Sequence, residues 1–220
     1  MPRLLATVNM VPSEGKVVTV GVTGASGAIL AQAALRLLDA DPHVAQVHLV
    51  VTETGLRLFA HELGIVAADP KQLPALITGT RTTKIEVLSN KDVGASIASG
   101  SYPVDAMVVI PCSMGTLAAI AGGTSDDLLA RAADVVLKEG RRLVLAIRDT
   151  PFNRIHLENM LRAQQAGAVI MPAIPSYYHQ PKTIDDLVAQ YVCRVLARLG
   201  LPQQQQYQWK GQGKSKAQEA

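Results

Sequence analysis

Five segments carry residue types that could do chemistry, and four of them follow an apolar run. Thr23-Gly24-Ala25-Ser26-Gly27-Ala28 is a glycine-rich turn of the kind that lets backbone N–H groups approach an anion at a helix N-terminus. Its glycines, with Gly21, are spaced by threes, so it is not the G-x-G-x-x-G fingerprint, and no acid ends the next strand to hold a ribose. A mononucleotide therefore suits it better than NAD, and a plain tight turn is the bland alternative. Pro111-Cys112-Ser113-Met114-Gly115-Thr116 repeats the arrangement with two hydroxyls at a helix start, where an ordinary N-cap is the simpler reading. Cys112 has no basic neighbour in sequence and reads as a buried structural thiol.

Arg131 and Lys138, two helical turns apart in Asp126–Lys138, share a face; alone they read as a solvated surface with pairs such as Asp134–Lys138. Arg148-Asp149-Thr150-Pro151 leaves a buried run, and Arg148 is suited to bidentate phosphate binding. Pro175-Ser176-Tyr177-Tyr178-His179-Gln180-Pro181 is a stiff loop. There Tyr178 can offer a hydroxyl to phosphate, and a packing or subunit contact is equally open; His179 reads as a structural hydrogen-bonding residue. Arg194 sits on the last amphipathic helix, where a snorkelling surface arginine is the alternative.

The elements that must position these segments alternate. Strands are predicted at 16–22, 44–51, 84–88, 106–110 (closed by Pro111), 142–147 and 168–171. Helices are predicted at 29–38, 54–63 (ending at Gly64), 115–121, 127–138, 155–165 (before Gly167) and 183–199; 65–81 is ambiguous, and 93–101 is a Gly/Ser/Ala loop. This pattern predicts an α/β fold of the Rossmann or flavodoxin-like kind, a single doubly wound, mainly parallel sheet with helices on both faces and right-handed crossovers. Ligands in such folds bind beyond the carboxyl ends of the strands, where four of the five segments fall. The expected organisation is a loose arm at 1–15, one domain at 16–202 and a polar tail at 203–220 partly docked around Trp209.

Composition agrees. Of 220 residues, 48% are hydrophobic and only 4% aromatic, so small and β-branched aliphatics must fill the core, as in doubly covered parallel sheets. A net charge of +3 argues against a nucleic-acid partner. No apolar run reaches the ~18 residues of a membrane span. Two distant cysteines make no disulfide framework and no metal motif, which points to a reducing, cytoplasmic setting and no metal.

TGASGA at 23–28, SGS at 99–101, PCSMGTLAAIAGG at 111–123, LLARAADVVLKE at 128–139, RDTPF at 148–152, IHLENM at 155–160 and YYHQP at 177–181, in that order, resemble the UbiX-type flavin prenyltransferase family. The resemblance implies FMN, in its reduced form the prenyl acceptor, held by Gly24, Ala25, Ser26, Thr52, Ser113, Met114, Gly115, Thr116, Arg131 and Arg148. Arg131 would act across a subunit boundary. Dimethylallyl phosphate would be held by Lys138, Arg148, Tyr178 and Arg194, with Ser26, Glu62, Lys138 and Asp149 as the catalytic set. The family joins the prenyl group to flavin N5 and C6, passes the product to a UbiD-type decarboxylase, needs no metal, and forms homo-oligomers, typically dodecamers.

The chemistry is consistent. A departing allylic phosphate needs cations and donors where charge develops, and ring closure needs a proton donor and acceptor. Asp149 stands where the family is expected to carry Glu, one methylene longer, and Thr52 where Ser is expected. The competing readings are an FMN-dependent decarboxylase of a cysteine-derived or aromatic acid, and a flavin carrier with no chemistry. The absence of any His before His43 weighs against the thiol-oxidising decarboxylases.

Overall fold

The computed structural model describes residues 15–207. The N-terminal arm up to residue 14 and the tail around Trp209 lie outside the described residues. Among those described, six strands form one sheet in the order β3-β2-β1-β4-β5-β6, and every pairing is parallel. The strands are β1 (Lys16–Val22), β2 (Val44–Val51), β3 (Ile85–Leu88), β4 (Ala106–Cys112), β5 (Arg142–Ile147) and β6 (Val169–Ile170). The helices are α1 (Ala28–Ala40), α2 (Glu53–Leu63), α3 (Leu73–Thr78), α4 (Met114–Gly122), α5 (Leu128–Lys138), α6 (Arg154–Gln165) and α7 (Ile184–Arg198).

Strand residues alternate between two cores. Val18, Val20 and Val22 with Ala106, Val108 and Ile110 face α1, α2, α3 and α7. Val17 with Met107 and Val109 faces α4, α5 and α6. Both faces are covered, which is why the strands read as continuous aliphatic runs. Gly21 falls on the second face because a Cβ there would come within 2.9 Å of Leu129 Cδ1, so its absence lets α5 press on the sheet centre.

Several boundaries move for local reasons. Pro111 does not close its strand: the Ile110–Pro111 peptide is cis, and β4 continues to Cys112 after a register shift. The ambiguous 65–81 stretch holds a 3-10 turn at Pro70–Gln72 and α3. Another 3-10 turn, Ser96–Ala98, interrupts the 93–101 loop. Helix starts follow their caps: Thr52 Oγ1 receives the Gly55 N–H, Asn153 Oδ1 that of His156, and Thr183 with Asp186 forms a capping box. Gly64 ends α2 in the left-handed conformation, as its position predicts.

The strand order reverses direction between β1 and β4. Chain leaving β1 turns to one side and chain leaving β4 to the other, opening a crevice at their carboxyl ends.

Candidate active site

The strand exits are stitched into one row. Thr52 N donates to Val22 O (3.0 Å), tying β2 to β1. Thr23, 1% exposed, donates its hydroxyl to Pro111 O (2.8 Å) and accepts the Ser113 N–H (2.8 Å), tying β1 to β4. Arg148 N donates to Cys112 O (3.2 Å), tying β4 to β5. Thr52, Thr23, Ser113 and Arg148 therefore stand side by side because backbone and one buried hydroxyl hold them there.

Three helix N-termini open on this row. Thr52 caps α2, and its hydroxyl lies 3.1 Å from that of Thr54. Ser113 caps α4 through Thr116 N, and the two hydroxyls pair at 3.1 Å. The Gly24 turn fits directly against α2: a Cβ on Gly24 would sit 2.5 Å from Thr54 Oγ1, and one on Gly55 2.7 Å from Val22 O. The start of α1 differs, since Gly27 has no side-chain cap of its own. Glu62, on the last turn of α2, reaches across, and its carboxylate accepts Gly27 N (3.0 Å) and Ala28 N (2.8 Å).

Partial burial pushes the Glu62 carboxyl up, but the Ser26 hydroxyl, the Ala28 and Gly27 N–H groups and the nearby Arg148 charge outweigh it and hold it below the ordinary range. Ser26, Glu62 and Arg148 thus form one electrostatic unit. Arg148 keeps its Nε buried with no hydrogen-bond partner. A buried guanidinium donor without an acceptor, beside three helix N-termini, fits an anionic or carbonyl-bearing planar ligand such as a flavin mononucleotide. Cys112, fully buried, has its thiol pushed up to about 12 by burial and is chemically inert.

The structure brings together Gly24, Ala25, Ser26, Glu62, Thr52, Ser113, Met114, Gly115, Thr116, Arg148 and Asp149 on the carboxyl edge. Asp149 is exposed, and its Oδ1 accepts the Thr150 N–H at 2.8 Å. Tyr178, exposed in the loop after β6, lies with its ring 5.4 Å from that of Tyr207. Arg194 is exposed on α7 near Tyr191, which is held to the end of β6 by a 2.6 Å bond to Met171 O. Its charge opposes the burial that pushes the Tyr191 hydroxyl up.

Lys138 is elsewhere. It ends α5, which descends to the amino edge of the sheet, whereas Arg131 stands in the first turn of that helix and donates its Nε to Ala98 O (3.2 Å). Lys138 is four residues before β5 begins and Arg148 one residue after it ends. At the usual rise of a strand the two are separated by roughly 20 Å. One chain therefore does not bring Lys138 to Arg148, Tyr178 and Arg194. The expected Asp134–Lys138 pair is replaced by Arg131–Asp134 (2.9 Å) and Lys138–Glu139 (2.5 Å). His179 does not make the structural hydrogen bond expected of it, since both ring nitrogens are buried without partners. Sequence reasoning missed Thr23 as a bridge, although a hydroxyl at a buried strand exit is a usable signal. It also missed Tyr207, whose N–H is bonded to Gln190 Oε1 at 3.1 Å.

Among the described residues no group of three or more His, Cys, Asp or Glu is placed to hold a metal, and no helix is long and apolar enough to cross a membrane.

The family model described as Flavoprotein matches residues 8–195. A flavin prenyltransferase UbiX of Halalkalibacterium halodurans is 45% identical over 192 residues, covering 87% of this chain and 92% of that protein. The solved structure of AnUbiX (PadA1) in complex with FMN and dimethylallyl pyrophosphate superposes with a TM-score of 0.79 at 38% identity, covering 90% of this chain and 98% of that one. A dodecameric FMN-dependent UbiX-like decarboxylase from Escherichia coli O157:H7 gives 0.79 at 41% identity, covering 89% and 100%.

Proposed function

The chain belongs to the Flavoprotein family and, within it, to the flavin prenyltransferases, and on that premise we propose the reaction and residue roles that follow. The protein transfers a dimethylallyl group from dimethylallyl phosphate to N5 and C6 of reduced FMN, giving prenylated FMN and inorganic phosphate. Bound reduced FMN supplies an electron-rich ring that accepts the prenyl carbon and stacks on the developing allylic cation.

What this chain does is hold charge. Gly24, Ala25 and Ser26, the α2 start at Thr52, and Ser113 through Thr116 cradle the mononucleotide. Arg148, whose buried Nε has no hydrogen-bond partner among the described residues, supplies the cation beside them. Arg148, Tyr178 and Arg194 surround the leaving phosphate, so the negative charge released as the allylic C–O bond breaks meets cations already in place. Glu62, kept ionised by Ser26 and the α1 amides, orders the Ser26 hydroxyl at the flavin edge. N5 and C6 each lose a proton as their bonds to the prenyl group form, the departing phosphate and the central prenyl carbon each gain one, and Asp149 is the side chain placed to relay them.

Lys138 serves a neighbouring copy, because along its own chain it stands roughly 20 Å from Arg148, and Arg131 acts across the same boundary, as the family resemblance implies. The active form is therefore a homo-oligomer, with the dodecamer of the Escherichia coli relative as its pattern. The product is a cofactor for a UbiD-type decarboxylase. Two buried free cysteines suit a reducing cytoplasm.

The observation that carries this reading is the Ser26–Glu62–Arg148 unit at the β1/β4 crevice with its unused arginine donor. Incubating the protein with reduced FMN and dimethylallyl phosphate and weighing the flavin tests it. A gain of one C5H8 unit is expected, and unchanged flavin with intact binding would reduce the protein to a carrier.

A further inference from the structure

His48 is the anomalous residue of β2. Its neighbours Val47, Leu49 and Val50 are buried aliphatics, and it is itself only 2% exposed, yet it carries an imidazole. One ring nitrogen, Nε2, is hydrogen-bonded, and Nδ1 lies within ion-pair distance of a carboxylate without hydrogen-bond geometry. Nδ1 stands 3.1 Å from Glu86 Oε2 on the adjoining β3, and Nε2 is 2.9 Å from the Tyr102 hydroxyl, with the two rings edge-on at 5.4 Å. A carboxylate beside Nδ1 favours the ring proton there, leaving Nε2 to accept from the phenol.

Tyr102 closes a loop that is clasped a second time. Arg141 donates to Gly100 O (2.7 Å) and to Tyr102 O (2.9 Å). Gly100 in turn lies against the end of α5: a Cβ placed on it would come within 2.7 Å of Lys138 Nζ and closer still to Glu139. The loop is thus the wall on which the Lys138 ammonium rests. The wall is fixed on one side by a guanidinium and on the other by a single phenol–imidazole bond rooted in the sheet. An exposed lysine has many rotamers, so the position of that wall decides how much freedom its side chain keeps.

The geometry points to Tyr102, anchored by His48, as a positioning residue for Lys138. The His48–Tyr102 bond sets the 99–102 loop, and the loop sets where the ammonium meets the substrate phosphate. This rests on the phosphate-binding role given to Lys138 above.

The test is a double-mutant cycle on the full chain, measuring KM for dimethylallyl phosphate and for reduced FMN separately. Tyr102→Phe keeps the ring and removes the hydroxyl. It should raise KM for dimethylallyl phosphate about fivefold, the scale of one lost hydrogen bond, and leave KM for FMN alone. In a Lys138→Ala background the same change should add nothing. His48→Leu should match Tyr102→Phe, and His48→Gln, whose amide can still bond the phenol, should restore the parent value.

Equal effects of Tyr102→Phe with and without Lys138, or a rise in both KM values, would overturn the positioning role and leave Lys138 as a ligand. An unchanged dimethylallyl phosphate KM in Lys138→Ala alone would instead sink the ligand assignment, and the positioning role with it.

Discussion

The carboxyl edge of the sheet and the outer face of α5 carry the same kinds of residue and treat them differently. At the carboxyl edge every element is tied to its neighbour through Thr52, Thr23, Ser113 and Arg148, and Glu62 is fixed by two amides and a hydroxyl. Along α5 the cations rest in local pairs, Arg131 with Asp134 and Lys138 with Glu139. Such pairs, about 40% exposed, are screened by solvent and readily exchanged for a better partner. One region is preorganised within a single chain, where a planar ligand can be received with little rearrangement. The other is a surface whose cations are held by neighbouring carboxylates of the same helix or its cap and can exchange them for another anion. The contrast is the one expected if the proposed catalytic centre is divided between copies.

The sharpest way to break that contrast is to damage the two regions in separate chains. Arg148→Ala and Lys138→Ala should each lower prenylation by about 100-fold, the scale of losing one donor to a developing anion. Only the first should also weaken FMN retention. Co-assembled from mixed subunits, the two variants should regain activity that neither has alone, because some crevices then hold an intact Arg148 facing an intact Lys138. Activity of the mixture no higher than the sum of the parts would place Lys138 in its own chain's site and end the comparison.

What the sequence made legible divides along the same line. Alternating aliphatic runs and turn residues predicted the sheet, its helices and the strand exits, because local periodicity and covered faces are local properties. Gly64, Gly167 and the polar caps marked helix ends for the same reason. Pro111 misled because a proline normally ends a central strand, whereas a cis peptide carries β4 on to Cys112. Spacing correctly put Arg131 and Lys138 on one helix face, but nothing in spacing says which end of the sheet that face serves. Glu62 was legible only through resemblance, since its partners Gly27 and Ala28 lie more than thirty positions away. The same distance in sequence hid the Tyr102–His48 bond.

A smaller effect sharpens the comparison from the preorganised side. Thr23→Val keeps the shape of the side chain but strips Ser113 N of its acceptor in a buried setting. The expected cost is about 1–3 kcal/mol of stability, read as a fall in the denaturation midpoint, with FMN affinity reduced as the β1 and β4 exits separate. The equivalent change on the other region, Asp134→Asn, should leave the midpoint within ~0.5 kcal/mol of the parent.

Glu62→Gln comes next, at about 1 kcal/mol, the scale of a helix N-terminal cap. Its pH signature is more telling than its size. The folded carboxyl is held below the ordinary value of 4.5, so it contributes its stability in full above that value and loses it as pH falls through the lower folded one. Removing the charge should therefore flatten the acid limb of the stability profile below 4.5. An unchanged limb would show that the α1 amides do not depend on this carboxylate.

The smallest effect belongs to His48, and it separates the ring's charge from its hydrogen bond. Burial lowers its pKa from the ordinary 6.5, with the Glu86 carboxylate only partly opposing. The unfolded chain then binds the proton before the folded one does, so stability rises with pH across that interval. His48 should contribute in full above 6.5, and its contribution should fade as pH drops from there through the folded-state value. His48→Gln cannot titrate, so its midpoint should fall less than the parent's between pH 6.5 and 5. If the amide also keeps Lys138 in place, the variant loses the acid slope and retains the parent KM for dimethylallyl phosphate. Loss of the parent KM as well would mean that the glutamine amide does not replace the imidazole as the partner of Tyr102.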